Sequence, residues 1–190
     1  MPFLKCIYQW KQENSNYNSY YGSKYYTNPD AVEKVIRYVT RTRQIEDRKN
    51  ELIAIGGRGV YFNFSIEHII NQFLSMQNFY NINQRGGRRV FHEAYCLSDQ
   101  DFINLNCDYA NVYALAEKIS DCYLHDRHQV LFAIHHDPEK KVHIHFVVNT
   151  VNYESGKKYH SSKEDLKRRE KKFNEIFYAE VRNLLAERRM

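Results

Sequence analysis

Residues 129–151 read Gln129-Val130-Leu131-Phe132-Ala133-Ile134-His135-His136-Asp137-Pro138-Glu139-Lys140-Lys141-Val142-His143-Ile144-His145-Phe146-Val147-Val148-Asn149-Thr150-Val151. Two strongly apolar segments, 129–136 and 142–151, flank a short polar turn at 137–141, and this pattern predicts a β-hairpin. Side chains alternate across a strand, so His143 and His145 share one face while Ile144 takes the other. Two ring nitrogens can then converge on one ion. A third imidazole is available from His135 or His136 at the end of the partner strand, and the choice between them depends on the phase of the pleat. Three imidazoles leave positions open for substrate oxygens and water, as a catalytic metal site requires. A lone strand histidine reads as an ordinary core residue; a cluster on facing strands does not.

Val90-Phe91-His92-Glu93-Ala94-Tyr95-Cys96-Leu97 predicts a further strand, entered through the basic turn Arg85-Gly86-Gly87-Arg88-Arg89. Phe3 to Trp10 can begin the sheet. The segment from Gln12 to Thr27, rich in Asn, Ser and Tyr, reads as a loop. Asn28-Pro29-Asp30 carries the residues of a helix start, and Val32, Val35, Ile36 and Val39 follow at helical spacing, predicting a helix to about Arg43. Gly56-Gly57-Arg58-Gly59 reads as a break in the chain. Behind a cap candidate at Ser65, Ile66, Ile69, Ile70, Phe73 and Leu74 mark a second helix. Asp108 to Leu124 predicts a third, through Val112, Leu115, Ala116 and Ile119. The last helix opens near Ser162, has Glu164 and Asp165 in its first turn, and sets Phe173, Phe177, Val181, Leu184 and Leu185 on one stripe. Lys167, Arg168, Arg169, Lys171 and Lys172 form its solvated face. These elements predict an α+β fold, a central and mainly antiparallel sheet with helices on its faces.

With 190 residues, 43% of them hydrophobic, the chain suits one domain spanning 1–190. No apolar run approaches the roughly 20 residues that cross a bilayer, and no basic-then-apolar signal pattern opens the chain, so a soluble, cytoplasmic protein without membrane insertion is expected. Cys6, Cys96, Cys107 and Cys122 are scattered without a C-x-x-C pair. That spacing argues against a zinc finger or a dense disulfide scaffold and predicts reduced thiols, mostly in the core. A formal charge of +5 permits a polyanionic partner without demanding one. Sixteen tyrosines interleaved with arginines suit stacking on unpaired bases, although strand and surface positions account for most of them.

Ala133-Ile134-His135-His136-Asp137, followed by His143-Ile144-His145-Phe146-Val147-Val148-Asn149, resembles the third motif of plasmid and integrative-element relaxases, the mobilisation nucleases of the HUH endonuclease superfamily. That motif runs H-x-D, a short turn, then H-x-H, apolar residues and Asn; the turn here is one residue longer than the commonest form. The resemblance makes His135, His143 and His145 the metal ligands and puts Asp137 in the acidic position. Arg37-Tyr38-Val39-Thr40 is similar to the family's nucleophile motif on an early helix. Tyr38 lies beside the Val32-Val35-Val39 stripe and can project from its edge; Tyr25 and Tyr26 compete for the role. Arg88-Arg89-Val90-Phe91-His92-Glu93, leading to Ser98, is similar to the middle motif, though a core histidine with a backbone partner explains His92 equally well.

What the resemblance implies is a site- and strand-specific DNA nicking and joining enzyme that acts at a transfer origin through a 5′-phosphotyrosyl intermediate. Asp137 would orient a ligand histidine or accept the phenolic proton. Three histidines by softness suit zinc or another transition metal, whereas the family points to Mg2+ or Mn2+; a divalent ion is the common expectation. Single-stranded origin DNA is the implied substrate, with accessory relaxosome and coupling proteins as partners, and relaxases commonly continue beyond the nuclease. Arg85, Arg88, Arg89, Asn149, Lys157 and Lys158 are candidates for DNA contacts. A rolling-circle replication initiator or transposase shares this chemistry, but its tyrosine follows the histidines; Tyr178 would serve that order. Val147 occupies the next alternate position, where a histidine-triad hydrolase needs a third histidine. From another class, a DNA-binding module with a structural metal would bind without nicking.

Overall fold

The computed structural model describes residues 1–7, 26–28, 30–41, 51–136, 141–159 and 161–188. Its strands are β1 (Phe3–Ile7), β2 (Leu52–Arg58), β3 (Val90–Cys96), β4 (His128–His136) and β5 (Val142–Asn152). The helices are α1 (Ala31–Val39), α2 (Ile66–Phe79), α3 (Ile82–Arg85), α4 (Asp99–Asn104), α5 (Tyr109–His125) and α6 (Lys163–Glu187). One sheet in the order β1-β3-β5-β4-β2, antiparallel at every pairing, gives the α+β fold expected.

The histidine hairpin is the centre of that sheet. β5 pairs with β3 on one side and β4 on the other, and because helices cover both faces of the sheet there, both hairpin strands are apolar along almost their whole length. Val130, Phe132, Ile134, Ile144, Phe146 and Val148 face one core with α5 and α6. Leu131, Ala133, Val147 and Val90 face the other, beneath α1 and α2. The hydrophobic stripes read from the sequence supply both cores: Val32, Val35, Ile36 and Val39 of α1 and Phe173 and Phe177 of α6 are all fully buried. Capping places the helix starts. The Ser65 hydroxyl accepts the His68 amide, Asp108 accepts the Ala110 amide, and Ser162 and Asp165 form a reciprocal capping box.

Gly56 and Gly57 belong to β2 and do not break it. A Cβ on Gly56 would stand 2.2 Å from the Phe132 ring, and one on Gly57 2.8 Å from the Val130 carbonyl oxygen. The glycines let β2 press against β4 where any side chain would collide. α1 ends at Val39, short of Arg43: the Thr40 hydroxyl donates to the Ile36 carbonyl at 2.8 Å, and Arg41 takes a left-handed φ of 54°. Residues 8–10, at the end of the predicted first strand, lie outside the described residues, as does most of the predicted loop and hairpin turn. Of the cysteines expected mostly in the core, Cys6, Cys96 and Cys122 are only partly buried and Cys107 is exposed.

Arg169 departs from the solvated face assigned to it. It reaches under α6 to Glu93, a fully buried carboxylate in β3, at 2.6 Å, while the Tyr123 hydroxyl donates to the other carboxylate oxygen at 2.5 Å. Removing one partner of a buried ion pair leaves the other charge without compensation. Arg169→Ala is therefore expected to cost about 3–5 kcal/mol of stability, read from denaturant unfolding; a loss below about 1 kcal/mol, the scale of a surface pair, would contradict this account.

Candidate active site and metal centre

The pleat turns His135, His143 and His145 to the face that carries α1. His135 stands opposite His143 in the β4–β5 register, and His145 follows two residues along. The three offer ring nitrogens that all lie within 4.8 Å of one another. His136 points to the opposite face, where its Nδ1 meets the Tyr109 hydroxyl at 2.5 Å and its ring lies by Phe102. The question of phase, open in the sequence, is decided by which neighbour is core: Ile134 must face α5, so His135 cannot.

In a neutral imidazole one nitrogen donates its proton and the other carries the lone pair, and the hydrogen bonds fix which is which. His135 donates from Nε2 to the Val39 carbonyl oxygen at 2.6 Å, so its lone pair is on Nδ1, which accepts from Arg41 at 2.9 Å. His143 donates from Nδ1 to the Lys141 carbonyl oxygen at 3.0 Å, so its lone pair is on Nε2. Nδ1 of His145 is 2.8 Å from Nε2 of His92, and Nδ1 of His92 is 3.3 Å from the Tyr26 hydroxyl. If the proton between the two rings sits on His145, its Nε2 is the free atom, and that atom is buried without any hydrogen-bond partner. A buried orphan nitrogen in a cluster whose ring nitrogens lie within 4.8 Å of one another fits a divalent ion. His92 thus has side-chain partners, not the backbone partner that sequence reasoning held equally plausible.

Burial, followed by the neighbouring positive and imidazole groups, pushes the pKa of His135 and of His92 down to about 3 and that of His145 well below the usual range. His135, His145 and His92 are therefore held neutral, the form in which imidazole binds metal. These depressed values also carry a sign for stability. Between pH 6.5 and about 3 the unfolded chain binds protons that the folded one refuses, so stability falls as pH falls through that window. Metal-free protein is expected to lose roughly 1 kcal/mol per buried histidine by pH 5.5 relative to pH 7.5. Thermal melts across that range, above the titration of most carboxylates, would contradict this if the midpoint stayed flat.

Tyr38 sits near the end of α1, half-buried, with its ring centroid 5.7 Å from that of His145 and 5.9 Å from that of His92. The same helix end supplies the Val39 carbonyl that orients His135, so one turn both presents a phenol and aligns a candidate ligand. Tyr26 is nearly buried, bonded to His92, and its pKa is raised by burial. Tyr25 and Asp137 lie outside the described residues. Tyr178 is on α6, across the sheet from the histidines.

The proposed DNA contacts separate by burial. Arg85 and Lys157 are exposed, Lys158 is partly exposed, and they share one corner: Arg85 donates to the Gly156 carbonyl at 3.0 Å and Lys158 to the Gly86 carbonyl at 2.6 Å. Burial and then the charges of Arg89 and Arg85 lower the Lys158 pKa, the signature of crowded cations. Arg88 is half-buried over the Phe91 ring. Arg89 is only 5% exposed, so its guanidinium is not presented to a strand at the surface. Asn149 is fully buried as well: its amide donates to Phe73 and Gln129 and accepts from Gln77. That network ties α2 to the sheet and engages the amide proposed for DNA contact within the protein. Ser98 caps α4 in a capping box with Asp101. Arg41 and Glu51, both at the site, carried no signal in the sequence because the helix was expected to run past Arg41.

A central antiparallel strand carries paired histidines, its neighbour a third and the covering helix a tyrosine, an arrangement that could hold a metal ion. Residues 25–179 match the family model for Relaxase: MobA/VirD2-like, nuclease domain, and the chain belongs to that family. Membership makes it a relaxase nuclease domain and supports a DNA-nicking role in mobilisation. No curated protein matches the chain. Among the described residues, no helix is long and apolar enough to cross a membrane.

Proposed function

We propose that this domain cuts and rejoins one DNA strand at a transfer origin, with Tyr38 as nucleophile and His135, His143 and His145 as ligands of a divalent ion, Mg2+ or Mn2+. The observation that carries the reading is the Tyr38 ring lying against His145 at the three-imidazole cluster. The phenolic oxygen attacks the scissile phosphorus, the bond from phosphorus to the 3′ oxygen breaks, and the 5′ end stays on Tyr38. The leaving oxygen takes up a proton and becomes a free 3′ hydroxyl. An ion in the cluster would neutralise charge on the non-bridging oxygens and polarise the phosphate. Free tyrosine has a pKa of about 10, so the phenol gives up its proton as it attacks; Asp137 is the proposed acceptor or the group that orients a ligand. Rejoining reverses the transfer and needs no nucleotide, because the phosphotyrosyl bond conserves the phosphodiester energy.

Arg85, Arg88, Lys157 and Lys158 are the proposed phosphate contacts. Arg89 adjoins Val90, which pairs with Asn149, four residues along β5 from His145. At about 3.3 Å per residue the basic corner is roughly 13 Å from the site, within a few nucleotides of the scissile bond. Accessory relaxosome and coupling proteins remain the expected partners in transfer. Tyr178, on the other side of the sheet, gives no support to the replication-initiator order.

The test is incubation with labelled single-stranded oligonucleotides tiling the transfer origin of the source element, with and without Mn2+ or Mg2+, followed by denaturing gels. Metal-dependent cleavage with a protein-linked 5′ fragment is expected. Binding without cleavage across the whole origin would instead favour a non-catalytic DNA-binding module.

A further inference from the structure

Arg41 stands between the tyrosine and the histidines, and the mechanism above does not use it. Its side chain is 9% exposed. Nη2 donates to Nδ1 of His135 at 2.9 Å and to Glu51 Oε2 at 2.6 Å, while the guanidinium carbon lies 4.7 Å from the Tyr38 ring centroid. Nε is buried and has no hydrogen-bond partner. Arg41 holds a left-handed φ of 54°, unfavourable for a side-chain-bearing residue, just past the end of α1.

The tautomer of His135 makes this contact consequential. Nε2 is committed to the Val39 carbonyl, so Nδ1 holds the lone pair left for an ion, and Arg41 occupies it. A guanidinium and a divalent cation cannot share one lone pair, and their charges repel. An ion can reach His135 only if Arg41 withdraws. Beside the Tyr38 ring the withdrawn guanidinium has one fitting partner among reacting groups, the phosphate that must come within reach of the phenol. Its planar fork matches phosphate oxygens.

We propose that Arg41 fills the ion's place on His135 in the metal-free protein and, when displaced by the ion, grips a non-bridging oxygen of the scissile phosphate. The inference rests on the assignment of Tyr38 and the three histidines made above. Arg41 is then both a gate on metal loading and a catalytic residue, and loading the ion releases the group that receives the substrate.

Calorimetric titration of DNA-free protein with Mn2+ tests the gate. Arg41→Ala and the milder Arg41→Gln, each shown folded by its melting transition, are expected to bind Mn2+ about tenfold more tightly than the wild type, since a charge-assisted hydrogen bond no longer has to be broken. Unchanged or weaker binding in both folded variants would overturn it. At saturating Mn2+ Arg41→Ala is expected to cleave the origin oligonucleotide about a hundredfold more slowly, with partial recovery in Arg41→Lys; a wild-type rate would overturn the phosphate contact. A wild type that cuts no strand at all would sink the relaxase chemistry separately, and the DNA-free titration would still decide the gate.

Discussion

Tyr38→Phe is expected to lower strand cleavage by roughly 10⁴-fold or more and to abolish the protein-linked fragment, while oligonucleotide affinity stays within about twofold. The substitution removes one oxygen and keeps the ring that lies against His145 and His92, so neither the helix nor the cluster should move. Tyr26→Phe is the informative companion. Its hydroxyl touches His92, which in turn touches His145, so its loss disturbs the orientation of a ligand and not the attacking atom. A loss of about tenfold is expected there, at the low end for an outer hydrogen-bond partner. A covalent adduct that survives in Tyr38→Phe and vanishes in Tyr26→Phe would move the nucleophile to Tyr26.

His145→Ala is expected to have the second large effect. It removes the buried orphan nitrogen that faces the other two imidazoles and leaves Nε2 of His92 without its partner. Loss of a direct ligand should exceed the roughly 100-fold upper range seen for outer-shell partners, so Mn2+ affinity and cleavage should both fall by more than that. Chelation should stop wild-type cleavage and added Mn2+ restore it. His136→Ala is the matched control, because its ring lies across the sheet with Tyr109 and Phe102. Should His136→Ala silence the protein while His145→Ala does not, the cluster is not the metal centre.

The histidine hairpin was legible because a strand buried on both faces must be apolar throughout, which makes each polar exception conspicuous. Helix starts were legible for a local reason: Ser65, Asp108 and Ser162 satisfy amides within three residues of themselves. β2 was not, since Gly56 and Gly57 read as a break until Phe132 and Val130 are seen pressing against them. Asn149 illustrates the opposite case. A polar residue in a family motif suggested a contact with DNA, whereas its amide is consumed inside the protein by Phe73, Gln77 and Gln129, two of them on a helix over 70 positions away in sequence.

By itself the sequence determined the α+β class, the central hairpin, the pairing of His143 with His145 on one face and the family resemblance, because periodicity, capping and short motifs are local. Tertiary structure decided that His135 and not His136 joins them, that His92 and Tyr26 stand behind His145, that Arg41 closes on His135, and that Glu93 takes Arg169 out of solvent. Each of these rests on which face of the sheet a side chain enters and what waits there. Alternation along one strand can state that two residues share a face; only packing of the helices on the sheet says which face it is.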